Sequence, residues 1–472
     1  MSVVENITLQ TTRRDRTEPY SGYFLNDVPD HDPEITHTGP GTPMGEVMRH
    51  FWHPVCLSSQ LGDLPLSLRI MGEDLVAFRD KSGNVGVLHR HCSHRGTSLE
   101  YGIVSERGIR CCYHGWLFDT DGTILETPGE PPASKLKDSF RHGAYPVREY
   151  KGLVFAYFGP EEKVPEFPIY DTWEVPDTQM SAYSIEHPCN WLQVHENIID
   201  PIHTAFLHST MGAGIQITEA YASLPILEFQ EVDEGHGMIY ICSRRMPDGL
   251  VWIRNNHALL PNHIHIAAIN IHADKVAPFT RAGMDWWTVP NDDTSSTVFG
   301  WRHYNDEVDP HHDGIPEDNK VNYADHIGGQ TQHNPPDVQQ REPGDWEVLT
   351  SQRPVAVHAL EHLGSTDTGV ALLRQLLRKA ARGEISADHA PLKRANGLLH
   401  TYVQDTVFEL PRHADDGDRD YIRQIGRRVT EIVTDVADEP AEERRIHTRS
   451  RLNDLASAGD CRPGSGVSLT TG

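Results

Sequence analysis

Residues 92–96 read CSHRG and residues 111–116 read CCYHGW. Cys92, His94, Cys111 and His114 therefore fall within one span of 23 positions, 92 through 114. Each stretch offers one thiolate and one imidazole, and the Cys-x-His and Cys-x-x-His spacings let both side chains point at one locus. Two occupants suit these donors. Zinc would gather all four ligands in a single tetrahedron. A [2Fe–2S] cluster would take both cysteines on one iron and both histidines on the other, and neutral imidazole in place of thiolate raises its reduction potential. Spacing alone leaves both open.

The flanking sequence has the texture of short strands. LRIMGEDLVAFRDKSGNVGVLHRHC (68–92) reads as three strands punctuated at Gly72 and at Ser82-Gly83-Asn84, and GLVFAYFG (152–159) as a buried strand. A short helix fits Pro43 to Trp52, and the Pro-rich GPEEKVPEFP (159–168) marks a boundary. Beyond it the chain changes character. A helix is expected after Pro188, with Asn190 and Gln193 at the spacing of an N-cap and its N3 partner. Strands are expected at 237–245, 250–260, 263–273 and 283–305, loop at 305–345, and helices over VALLRQLLRKAA (370–381) and YIRQIGRRVTEIVTDVA (421–437). The expected division is an N-terminal segment 1–45, a small all-β domain 46–160, a larger α+β domain 161–438 and a disordered tail 439–472.

Composition narrows the class. Of 472 residues 68 are acidic and 42 basic, a formal charge of −26, and no basic block suggests a nucleic-acid partner. Seven cysteines in a chain of this length do not read as a disulfide framework. No apolar run suits a membrane span, and Arg13-Arg14 is followed by no apolar export region. A cytoplasmic protein with reduced thiols is expected. The 29 histidines are a weak pointer to metal chemistry.

The two opening loops resemble the cluster-binding loops of Rieske proteins, down to the Gly-Trp that follows the last histidine. The resemblance implies a [2Fe–2S] cluster on Cys92, Cys111, His94 and His114. Cys112 is then not a ligand and is expected as a packed core thiol; Tyr113 and Trp116 are expected to pack.

A cluster of that kind moves one electron and makes no bonds, so the rest of the chain asks for an acceptor. Residues 190–208, NWLQVHENIIDPIHTAFLH, contain His203 and His208 five positions apart. On a regular helix that separation is roughly 500°, about 140° off alignment. The two converge only if the helix breaks between or before them, and Pro201 supplies a reason. Two histidines and one carboxylate on one face of a ferrous ion leave positions open for O2. ENIIDPIHTAFLH resembles the iron-binding segment of Rieske non-haem iron oxygenases, in the branch that contains phthalate dioxygenase and dehydrodivanillate O-demethylase.

That resemblance implies Fe(2+) on His203 and His208. Its third ligand is a downstream carboxylate, which DWEVLTSQRP (345–354) places at Asp345, with Asp367 and Asp337 as alternatives. It also implies Asp200 spanning the two centres across a subunit interface, Asn197 beside the iron, and a homotrimer or hexamer served by an NAD(P)H-dependent ferredoxin-type reductase. The implied activity is hydroxylation or O-demethylation of an aromatic acid in aromatic catabolism. Arg244, Arg245 and Arg254 lie on candidate pocket strands but are expected to be surface or structural residues, and His187 and His195 to be solvated or structurally satisfied. A bare electron carrier would need neither His203 nor His208, and a zinc-stapled binding module would be colourless.

Overall fold

The computed structural model describes residues 19–210, 223–246, 249–267, 279–306, 308, 335–386, 394–395, 397–413, 417–457 and 462–463. Two short helices, α1 (Pro33–Thr36) and α2 (Pro43–Arg49), precede the first strand. Thr42 caps α2, accepting from the Gly45 amide at 3.2 Å, and Pro43 occupies the first turn, where a missing N–H costs nothing.

Eleven strands follow: β1 (Trp52–Leu57), β2 (Leu66–Ile70), β3 (Glu73–Arg79), β4 (Val85–His89), β5 (Ile103–Val104), β6 (Ile109–Arg110), β7 (Leu117–Phe118), β8 (Ile124–Glu126), β9 (Ala144–Tyr145), β10 (Val147–Tyr150) and β11 (Leu153–Tyr157). They form three small antiparallel sheets, ordered β1-β11-β10, β2-β3-β4-β9 and β5-β6-β7-β8. Met71-Gly72 and Lys151-Gly152 make two-residue hairpins in which both residues have positive φ (47° and 78°; 44° and 84°). That conformation matches the right-handed strand twist.

The second half opens with β12 (Gln179–His187), α3 (Trp191–Ile199) and α4 (Leu207–Thr210). Then come β13 (Ile226–Val232), β14 (Gly237–Arg245), β15 (Leu250–Leu259), β16 (His263–Ala267), β17 (Phe279–Thr280), β18 (Ala282–Asp292) and β19 (Ser295–Tyr304). Helices α5 (Pro336–Arg341), α6 (Asp345–Thr350) and α7 (Thr368–Ala381) follow, then β20 (Arg394–Ala395), β21 (Leu398–Leu399), β22 (Gln404–Glu409), α8 (Gly417–Asp435), α9 (Ala441–Ser457) and β23 (Arg462–Pro463). One antiparallel sheet runs β12-β19-β18-β16-β15-β14-β13, with β22 also pairing with β15. Helices cover it: α3 lies against β18, α7 against α3 and β13, and α8 against β14 and β15. The architecture is the expected α+β one.

The halves are packed together. Main-chain amides of Met71 and Gly72 donate to the carbonyls of Pro290 and Asn291, each at 2.8 Å. Phe155 on β11 meets Trp287 and Trp301 at ring separations of 5.6 and 5.8 Å, and Trp173 joins the same group. Such pairs each contribute about 0.5–1.5 kcal/mol beyond their burial. Helix α1 docks on α7 through Glu34, which receives Arg378 and Arg382, each at 2.6 Å.

The chain past 439 departs from expectation. Residues 441–457 form α9, whose Arg444, Thr448, Leu452 and Ala456 lie four apart and are buried. The Arg444 guanidinium donates to the buried Asp171 carboxylate at 2.7 Å, which also holds Arg281 at 3.0 Å. With so few apolar residues the helix shows no strong pattern in sequence; a buried ion pair ties it down instead. The remainder of the expected tail lies outside the described residues, Arg462–Pro463 excepted, as does most of the expected loop 305–345.

Candidate redox and metal centres

The two cluster-type loops are folded alike. Gly96 donates its amide to the Cys92 carbonyl (2.8 Å) and Gly115 to that of Cys111 (3.1 Å). The Cys92 amide reaches the Thr97 carbonyl (2.9 Å), and the Cys111 amide that of Trp116 (2.8 Å). Gly96 and Gly115 have φ of 75° and 74°, which a side chain would strain. The geometry buries Cys92 and Cys111 at 3 % exposure each, and brings the His94 and His114 rings to 4.5 Å. Backbone amides of His94 and Arg95 point at the Cys92 sulfur, yet burial pushes this thiol up to about 11. His94 Nδ1 is buried with no hydrogen-bond partner. Two sheltered sulfurs and a buried, unsatisfied imidazole nitrogen are the kinds of donor such a cluster takes. Trp116 is structural, stacked on His94 at 4.6 Å and 7°.

Two neighbours point the other way from expectation. Cys112 is exposed, and Tyr113 is 56 % exposed, its ring over His114 at 3.7 Å. The turn from Cys111 to Gly115 directs its middle residues outward, so neither enters the core.

In the second half, Asn190 caps α3 by accepting from the Leu192 amide at 3.0 Å. Gln193 does not complete a capping box. Its Nε2 donates to the carbonyls of Leu349 and Arg353 (2.8 and 3.1 Å), and its Oε1 accepts from the Ala356 amide (2.8 Å), pinning the segment after α6 to α3. Glu196 receives two bonds of 2.6 Å from Arg374 of α7.

Helix α3 stops at Ile199. Asp200, preceding Pro201, takes an extended conformation (φ −104°, ψ 89°), as a residue before proline is driven to do. Its Oδ1 then accepts from the Ile202 amide at 2.9 Å. A 3-10 turn spans His203–Ala205 before α4 begins at Leu207. This break removes the angular mismatch between the histidines. Arg244 braces it from the sheet, donating to the Pro201 carbonyl (3.2 Å) and the Thr204 hydroxyl (2.8 Å).

His203, His208 and Asp345 come together, their donor atoms all within 4.8 Å of one another. His203 Nε2 is 3.5 Å from Asp345 Oδ1, and His208 Nε2 is 3.2 Å from Oδ2. Burial acts to raise the Asp345 carboxyl, but His208, His203 and a hydrogen bond from Asn197 hold it well below the usual carboxylate range. Nδ1 of both histidines is buried without a hydrogen-bond partner. The two-histidine, one-carboxylate set fits a ferrous ion. Asp337 is exposed on α5, and Asp367 accepts from the Gly364 amide at 2.6 Å ahead of α7; neither joins the histidines. Asp200 Oδ2 stands 3.8 Å from His203 Nδ1, with its side chain 31 % exposed.

One histidine expected to be solvated or structurally satisfied is neither. His187 on β12 is 2 % exposed, neither ring nitrogen has a hydrogen-bond partner, and its charged form would feel Asp345. Its place at the end of a strand, a few residues before α3, was the available signal. His195 is buried too, its Nδ1 3.3 Å from the Thr288 hydroxyl. Arg245 is taken by Asp418, and Arg254 by the Ala267 carbonyl.

Comparison with known proteins agrees with this layout. A "Rieske [2Fe-2S] domain" family matches residues 51–151, and a "LigXa C-terminal domain like" family matches residues 156–227. The chain is 46 % identical to the tert-butanol monooxygenase / tert-amyl alcohol desaturase oxygenase subunit of Aquincola tertiaricarbonis, covering 93 % of this chain and 97 % of that protein. It is 39 % identical to the phenoxybenzoate dioxygenase alpha subunit of Ectopseudomonas oleovorans, over 76 % and 87 %. The crystal structure of dicamba monooxygenase bound to dicamba shares the fold, at TM-score 0.53 and 16 % identity, over 71 % of this chain and 98 % of that one.

Proposed function

This chain belongs to the Rieske non-haem iron oxygenases as an oxygenase (alpha) subunit, and from that premise we propose how its residues divide the work. It is the terminal oxygenase of a multicomponent system, with a [2Fe–2S] cluster and a mononuclear iron as cofactors and a reductase as partner. Among the described residues no helix is long and apolar enough to cross a membrane.

Cys92 and Cys111 would hold one iron of the cluster and His94 and His114 the other; His203, His208 and Asp345 would hold the mononuclear iron. When bound, these groups supply single-electron transfer and O2 activation. The carrying observation is the convergence of His203, His208 and Asp345 at the break after α3. Pro201 and Arg244 fix the break, so both imidazoles face the Asp345 carboxylate. Asn197 orients that carboxylate, and Asp200, partly exposed beside His203, orients its imidazole and offers a free edge to a neighbouring subunit. His94 and His114 sit at the surface of their loops, where the cluster of one subunit would face Asp200 of the next in a ring of three or six.

We assign the substrate to the aromatic acids, hydroxylated or O-demethylated. A second reading, a compact tertiary alcohol, is favoured by the 97 % coverage of the tert-butanol monooxygenase subunit. It is also favoured by Arg244, Arg245 and Arg254, whose guanidinium groups are engaged within the protein rather than presented to a carboxylate. The test is substrate-dependent O2 consumption with a surrogate reductase against aromatic acids, methoxylated acids and tertiary alcohols. Turnover of one class assigns the substrate. Consumption unaffected by every class, or unchanged in His208→Ala, overturns the oxygenase reading.

A further inference from the structure

A second two-histidine, one-carboxylate set lies inside the large sheet. His263 and His265 alternate along β16 onto one face, and Asp285 on β18 pairs in register with His265. Their donor atoms lie within 4.8 Å of one another, and all three residues are buried. His263 Nε2 is 3.0 Å and His265 Nδ1 2.6 Å from Asp285 Oδ1. The other carboxylate oxygen accepts from His303 Nε2 at 2.6 Å, from β19.

This set is separate from the oxygenase iron. Arg244, which reaches the broken helix, pairs with Trp252, so Trp252, Arg254, Asn256 and Ala258 share its face of the sheet, and Ala258 pairs with Ile264. His263, His265 and Asp285 therefore face the opposite side, towards Tyr170, Trp173 and the Phe155–Trp287 contact.

Hydrogen bonding accounts for two of the histidines but not for the third. His265 is fully buried, and its Nε2 has no hydrogen-bond partner. Its Nδ1 stands 2.6 Å from Asp285 Oδ1, and the two atoms would part to roughly 3.3 Å to share one tetrahedral ion. His303 holds the far oxygen as an outer partner holds a metal-bound carboxylate. A cavity of about 30 Å³ adjoins His263, between Tyr170, Asn262 and Trp287, with room for a water.

We propose that His263, His265 and Asp285 bind a second divalent cation, zinc by preference, in a closed site that pins β16 to β18. Two neutral nitrogens and one carboxylate suit zinc, which carries no redox activity into the neighbourhood of the electron carriers. Binding needs both imidazole lone pairs, so it releases any proton they hold and transfers no electron.

The deciding measurement is anomalous diffraction from crystals of the wild-type holoenzyme grown with equimolar zinc sulfate, recorded across the zinc and iron absorption edges. A peak enclosed by His263, His265 and Asp285 is expected at the zinc edge. A peak at the iron edge alone keeps the site and changes its metal. Elemental analysis should find one metal beyond the three irons per chain, and Asp285→Asn should lose that whole equivalent while keeping the visible absorption of the cluster. No density between the three residues, with three metals per chain at full occupancy, overturns the proposal and leaves a hydrogen-bonded core. The wild-type crystal decides even if the variant does not fold.

Discussion

The described residues contain the same donor set twice, in opposite settings. His203 sits on a 3-10 turn past the end of α3, His208 on α4 and Asp345 on the first turn of α6, beside a partly exposed Asp200. His263, His265 and Asp285 sit on adjacent strands, sealed under tryptophan and tyrosine rings. The first set needs irregular backbone, because regular helix would turn the histidines apart. The second needs regular backbone, because strand alternation and register do the aligning. An open coordination face comes with a break in secondary structure, and such a break must be held by its surroundings.

The comparison breaks first at the ligands. His208→Ala or Asp345→Ala should lose the mononuclear iron and abolish substrate oxidation, with cluster absorption intact; iron analysis with an oxygen electrode checks it. Turnover surviving in Asp345→Ala would remove that residue from the site. Next comes the support. Arg374→Leu leaves Glu196 buried without its partner and should destabilise the fold by about 3–5 kcal/mol, read by denaturant unfolding, whereas an intact midpoint would mean α3 does not depend on α7. Asp200→Asn should retain both kinds of iron but lower coupled turnover about 10–100-fold, with the loss in the rate of cluster reoxidation measured by stopped flow. Smallest is Asn190→Ala, which removes the α3 cap and should cost about 1 kcal/mol, visible as a modest fall in melting temperature.

Legibility in the sequence followed the range of the interaction. Cys92 to His114 is a local motif, and both loops fold alike. The alternation and turn residues from Leu68 to Cys92 mark three strands that the structure contains. Asp345 lies 137 positions past His208 (345 − 208), and no spacing rule reaches so far; resemblance alone placed it. Gln193 was assigned to the helix start because local spacing cannot show the distant carbonyls it serves. The sequence reading passed over His263 and His265 because a histidine on a strand looks like an ordinary polar face until Asp285 is known to pair beside it. Cys112 was misplaced because burial in a tight turn depends on which residue occupies the tip. Helix α9 was missed because an ion pair to Asp171, more than apolar periodicity, holds it.

The hairpin tip at Met71-Gly72 is joined to Pro290 and Asn291 through peptide groups. A joint of that kind is indifferent to which side chains flank it, provided the turn is made. Transplanting the cluster-bearing half of a related chain onto this catalytic half would therefore keep this joint, and would need matching only where side chains meet, at Phe155 on Trp287 and Trp301 and at Arg69 on Asp292.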